Sequence, residues 1–259
     1  MAPPFGRCPS RAAPLLRPVA WLHRRTLARY VRVVAVTGSF GKSSTVRLVT
    51  AALGLAGPPA SREIANGLWS VPRRLLELRP SASHAVIEIG IDRPGQMAPQ
   101  AAAVAPDIAV VTAVGGEHLE TLGSLDIIRH EKSRLVAGLR AGAVAVLNGD
   151  DPRVRVMAVL APGEVWTYGL EEGNDVRAVD IVLDWPHGMR FTALVRGSTQ
   201  PVRLPLLGRH MVPSALAALA VAAIEGVPLA RAAAAIGAMP PAALPLVESE
   251  HGRVERFAD

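Results

Sequence analysis

Sulfur, aromatic rings and lysine are scarce in this chain, and each scarcity excludes something. The single cysteine, Cys8, rules out an intramolecular disulfide framework and any all-cysteine metal cage, in keeping with a reducing compartment. Aromatic residues make up 4% of the sequence, and no basic-and-aromatic stacking pattern is visible in its first part. The formal net charge of +6 therefore does not predict a nucleic-acid partner. No apolar run reaches the roughly 18 residues of a membrane span; the longest, Met211 to Ile224, is short, alanine-rich and interrupted by Pro213. The expectation is a soluble, cytoplasmic protein with no membrane partner. Acid is also missing locally, because nothing before Glu63 carries a carboxylate. That opening has the composition of an organellar transit peptide, but the preferred reading is a basic, loosely ordered arm over residues 1–30.

What is present begins at Val31, where apolar runs of strand length alternate with helical stretches, the pattern of a parallel sheet with crossover helices. VRVVAV ending at Val36, HAVIEIG ending at Gly90, DIAVVTAV ending near Val114 and AVAVLN ending at Asn148 are apolar nearly throughout, as strands covered on both faces should be. Helices are expected over Ser43 to Leu55, Ser124 to Leu139 and Ser214 to Glu225, with Ser124 as a cap. From Glu164 to Leu206 the segments EVWTYG, VRAVDIVL, MRFTALV and VRLPLL alternate more, predicting a small antiparallel sheet appended to the parallel one. The fold class is thus α/β, of phosphate-loop type. A domain over 31–240 is expected, and the proline-rich, then charged stretch 241–259 reads as a linker.

The stretch VTGSFGKSST, Val36 to Thr45, sits between the first strand and its helix. It carries the TGxxGKS part of the GxxxxGK[ST] phosphate loop, with Val36 where the pattern begins with glycine. Backbone amides around Gly38 to Gly41 can face phosphate oxygens, and the following helix presents its positive end. Lys42 can reach terminal phosphates, and the Ser43 hydroxyl can ligate magnesium. Thr37, Gly38, Ser39, Gly41, Lys42, Ser43 and Ser44 are the nucleotide-contacting candidates here. NGDD at Asn148 to Asp151 is not the NKxD of a GTPase.

Among the 28 basic residues only two are lysines, Lys42 and Lys132; every other is arginine. Guanidinium is planar, wide and permanently charged, so it cannot replace a compact ammonium against phosphates or an amine that must lose its proton. The two lysines are therefore the positions where lysine itself is needed. Lys132 lies on a predicted helix after a loop containing His118, and that loop follows an apolar strand end, where ligands sit in open parallel sheets.

TGSFGKSS, VIEIGIDRPGQM, HLETLGSLDIIRHEKSRL, VLNGDDP and LLGRHMVPSALAA follow one another in the order and spacing of the central ATP-binding domain of the Mur ligases, and the chain resembles that family from Val31 to about Gly237. EIGIDRPGQM is most similar to the members that add D-alanyl-D-alanine to a UDP-muramoyl tripeptide. The resemblance implies ATP and two magnesium sites, with Lys42 on the terminal phosphates and Ser43 and Glu88 on a first metal. It places His118 near a second metal and Asn148 and Asp151 near the nucleotide. It also implies that Lys132 is carried as a carbamate, a long-armed carboxylate that helps hold metal; arginine could not form one.

The implied reaction is ATP-driven amide formation through an acyl phosphate, in peptidoglycan precursor synthesis. Its partners would be ATP, a UDP-muramoyl-peptide-like carboxylate and an amino acid or dipeptide. Three departures stand out, since Ala113, Met211 and Ser214 occupy positions where the family carries asparagines. The family's UDP-substrate domain and its C-terminal domain are not recognisable in the sequence. The expectation is therefore an ATP-binding part that is incomplete as a stand-alone enzyme. The other reading is a nucleotide-binding module without ligase activity.

Overall fold

The computed structural model describes residues 13–55, 70–117 and 119–240. Its centre is one eight-stranded sheet made of β1 (Arg32–Thr37), β2 (His84–Glu88), β3 (Ile108–Val111), β4 (Val144–Asn148), β5 (Val165–Gly169), β6 (Val176–Asp184), β7 (Gly188–Val195) and β8 (Ser198–Leu204). The spatial order is β2-β1-β3-β4-β5-β6-β7-β8. Pairing is parallel from β2 across to β6 and antiparallel from β6 through β7 to β8.

The antiparallel part lies where the alternating segments predicted it, with two differences. EVWTYG forms β5, which pairs in parallel with β4, and the antiparallel strands continue the main sheet rather than forming a second one. β8 is an edge strand and carries Pro201 in its middle.

Strand alternation sends successive side chains to opposite faces, and each face is covered. Val34 and Val36 of β1 join Ile108 and Val110 of β3 in a core with α2 (Lys42–Ala52), α8 (Val212–Ile224) and α9 (Leu229–Gly237). Val33, Ala35, Ala109 and Val111 face the other way. There they meet α3 (Ser70–Leu76), α4 (Met97–Val104), α6 (Leu125–Ala137) and the short α7 (Pro152–Arg155). A one-turn helix, α5 (Leu119–Leu122), precedes α6. α8 is apolar almost all round because it is buried almost all round. Pro213 does not break it: the proline stands in the first turn, where the missing N–H has no helical acceptor to lose.

The basic N-terminal stretch is not a loose arm over its described part. Residues 13–25 form α1 (Ala13–Arg25), and Ala20 is buried against the α3 and α4 side of the sheet. Arg24 is buried as well. Its guanidinium donates to the final carbonyls of α4, Val104 O at 2.9 Å and Ala105 O at 3.1 Å, and to Ala28 O at 2.7 Å. A cation at the negative end of a helix supplies the acceptors there with donors they would otherwise lack. Residues 1–12 and the expected linker at 241–259 lie outside the described residues.

β1 has β2 on one side and β3 on the other, so the connections leaving their carboxyl ends diverge. The crevice opened by such a reversal is where ligands bind in open α/β sheets. The phosphate-type loop after β1 and the loop after β3 both run into it.

Candidate functional site

Two loops are laced together at this crevice. Gly38, with φ of 149°, lies so close to β3's end that a Cβ on it would sit 1.8 Å from Thr112 Oγ1. Gly41, at φ 78°, turns the chain in the left-handed region to start α2. Between them, Ser39 N donates to Ala113 O at 2.8 Å, and the Ser39 hydroxyl accepts from Gly115 N at 2.8 Å and donates to Gly115 O at 3.0 Å. Thr112 Oγ1 donates to Phe40 O, while Thr37 Oγ1 donates to Ile89 O at 2.9 Å beyond β2. Thr37, Gly38 and Ser39 are thereby held between the ends of β2 and β3.

Lys42 opens α2 and is buried, 7% exposed. Its ammonium donates to Gly38 O at 2.9 Å and Ser39 O at 3.2 Å, and it reaches both carboxylate oxygens of Glu117 at 2.9 Å. Glu117 was not legible as a site residue: an acid in an irregular loop has no periodicity, and only its place beside His118 hints at it. The pair means that a phosphate approaching Lys42 competes with an internal carboxylate.

One helical position on, Ser43 Oγ donates to Glu88 Oε2 at 2.9 Å, joining the first turn of α2 to the end of β2. A hydroxyl and a carboxylate in contact are two hard oxygen donors, the kind magnesium takes while keeping waters and phosphate oxygens for its other positions. Ser44 follows in the same first turn. Among the described residues no three or more His, Cys, Asp or Glu side chains gather as a metal cage. His118 lies outside the described residues.

Lys132 lies on α6 and is 2% exposed. Its pKa is pushed down from 10.5 to about 8, first by burial and then by the positive charge of Lys42, with Glu117 acting the other way. The second lysine of the sequence therefore shares its electrostatic environment with the first. The neighbouring Glu131 is also buried and accepts from Met97 N at 3.2 Å, tying α6 to the start of α4.

Asn148 and Asp151 are placed at the same crevice but their side chains are engaged by the protein. Asn148 Nδ2 donates to Thr112 O at 2.8 Å, and its Oδ1 accepts from Asp150 N at 3.1 Å. Asp151 caps α7 through Arg153 N at 2.9 Å and holds Val114 N at 2.8 Å. Both brace the loop after β3 from the loop after β4. Of the three departures, Ala113 contributes a carbonyl, and Met211 packs against the apolar core around α8. Ser214 is buried beside the phosphate-type loop, its Oγ lying 3.4 Å from where a Cβ on Gly41 would be.

Residues 36–222, more than half of the chain, match the Mur ligase middle domain. The chain belongs to the Mur ligase family. It is 33% identical over 214 residues to the UDP-N-acetylmuramoyl-tripeptide--D-alanyl-D-alanine ligase of Escherichia coli (strain K12), covering 81% of this chain and 46% of that protein. A crystal structure of MurF from Acinetobacter baumannii superposes with a TM-score of 0.81 and 30% identity, over 88% of this chain and 50% of the other. A MurF ligase from Thermotoga maritima, in complex with ADP, has the same fold at a TM-score of 0.71 and 23% identity, over 90% and 55% of the two chains. This Mur ligase chain spans about half the length of the curated relatives it matches.

Proposed function

We propose that these residues form the ATP-binding part of an amide-forming ligase of peptidoglycan precursor synthesis, acting through an acyl phosphate. Mur ligases use ATP and magnesium, and the observation that carries the reading onto this chain is the Ser43–Glu88 contact beneath a lysine-bearing phosphate loop. The amides of Ser39 to Gly41 and the start of α2 would receive the phosphates, and Lys42 would exchange Glu117 for a terminal phosphate oxygen. Ser43 and Glu88 would hold magnesium. The metal would supply neutralisation of the charge on the transferring phosphoryl group. A UDP-muramoyl-peptide-like carboxylate would attack that group and an amino acid or dipeptide would then displace phosphate, both substrates being those of the relatives' class.

Lys132 suits the carbamate role, because a lowered pKa supplies the neutral amine that carbon dioxide requires. His118 would lie toward a second metal, and Asn148 and Asp151 would shape the nucleotide crevice through the backbone they brace. A cytoplasmic location follows from this reading.

The test is magnesium-dependent ATP binding by the purified chain beside Lys42→Ala. Clear binding by the wild type and loss in the variant is expected; equal affinity in both would overturn the reading. Met211, a partly buried apolar residue packed against the core at a family asparagine position, favours a second reading, a nucleotide-binding module without ligase turnover. Nucleotide binding with no acyl-phosphate formation, when the relatives' substrate-binding domains are added, would select it.

A further inference from the structure

α1 and the turn after it have a second face that neither the sheet nor the nucleotide crevice uses. The helix buries Ala20 and Arg24, and its outer side carries Val19 and Leu22; Leu27 and Tyr30 follow in the turn. With Trp21 these five apolar side chains are between 43% and 77% exposed within a twelve-residue span. Arg17, Trp21 and Arg25 form an i, i+4, i+8 row along one flank of the helix. Arg25 lies over the Trp21 ring at 4.6 Å, and Arg29 over the Tyr30 ring at 4.5 Å. Basic and aromatic side chains do stack here, a pattern the linear sequence did not reveal. No acid occurs anywhere in the first 62 residues, so this segment supplies no counter-charge of its own to these arginines.

We infer that this face is a peripheral docking surface for an anionic lipid bilayer. Exposed aliphatic side chains suit the acyl boundary, aromatic rings suit the interface, and flanking arginines suit lipid phosphates; the three occur together here. Single-stranded nucleic acid is the poorer occupant, since both rings already carry guanidinium groups and Val19, Leu22 and Leu27 have no base to stack on. Among the described residues no helix is long and apolar enough to cross a membrane, so the contact is one that lies on the surface. The inference stands apart from the ligase reading.

The experiment is co-sedimentation of the full chain with phosphatidylcholine vesicles, with and without phosphatidylglycerol. Binding is expected only with the anionic lipid, falling at high salt, and brominated lipid should quench Trp21, a signal lost in Trp21→Phe. The double substitution Leu22→Ser, Leu27→Ser changes two exposed positions and should reduce partitioning about tenfold or more. An Arg25→Gln, Arg29→Gln variant should lose a similar factor, about tenfold, on anionic vesicles. Absence of anionic-vesicle binding by the wild type would overturn the proposal, whatever the variants do. So would undiminished binding by a folded serine double variant, or preference for a single-stranded oligonucleotide over the vesicles.

Discussion

Replacing Glu117 by glutamine should make the phosphate loop bind phosphate groups more tightly. Lys42 is buried, and both oxygens of the Glu117 carboxylate lie 2.9 Å from its ammonium, so an incoming phosphate must first displace them. A hydrogen bond to a charged partner contributes about 1.5–3 kcal/mol, and the glutamine amide retains only a neutral oxygen for the lysine. Relief of that competition corresponds to about ten- to hundredfold higher affinity. Lys42 keeps Gly38 O and Ser39 O, so the loop should stay folded. Calorimetric titration with ADP or pyrophosphate in a chelator reads the effect without a metal contribution. Affinity that is unchanged or weaker in Glu117→Gln would refute the competition, and would mean the carboxylate supports the phosphate-bound state instead.

Lys132, with its pKa lowered to about 8, should be half neutral at pH 8, whereas an ordinary lysine is about 0.3% neutral there. A carbon-13 bicarbonate signal for a carbamate should therefore rise between about pH 7 and 9 and be missing in Lys132→Arg; no difference between the two proteins would count against the carbamate. The unfolded chain binds more protons at this position between about pH 8 and the usual lysine value, so wild-type stability gains with rising pH across that window. Lys132→Met should accordingly unfold at a higher temperature than wild type at neutral pH, the gap closing toward the alkaline end. Gly38→Ala places a Cβ against Thr112 Oγ1 and should abolish nucleotide binding while lowering the melting temperature; a variant that binds normally would show that the two loops are not laced as described. Asp107→Asn weakens a buried acceptor that holds Val33 N at 2.8 Å and pairs with Arg24 and Arg140. Breaking it should cost about 3–5 kcal/mol in urea unfolding, and a loss below about 1 kcal/mol would place it with exposed pairs.

The parallel strands were legible because burial on both faces forces continuous apolar runs; Thr37, Lys42 and Ser43 were singled out by the phosphate-loop pattern, and Glu88 by the family resemblance. β5 misled through its burial: Trp166 and Tyr168 are buried while Val165 and Thr167 are only partly covered. The alternation was real, but it reported uneven cover rather than strand direction. α1 was obscured by composition, since an arginine-rich stretch looks solvated until α4's terminal carbonyls are seen to take Arg24. Glu117 had no signal to read, because the contact that matters joins residues 75 positions apart. Asn148 and Asp151 were singled out by the resemblance, while their bracing of Thr112 and Val114 depends on backbone geometry that no motif encodes.

Pro201 bears on how this protein behaves in company. An unsatisfied strand border is a template on which other chains can align, and this open eight-stranded sheet has two, at β2 and at the longer β8. A proline halfway along β8 removes a donor from that template, and α9 lies close over its end, Gly237 against Arg203. A strand from a neighbouring molecule would find the ladder interrupted before it could lengthen, so growth of the sheet from molecule to molecule stops at this border.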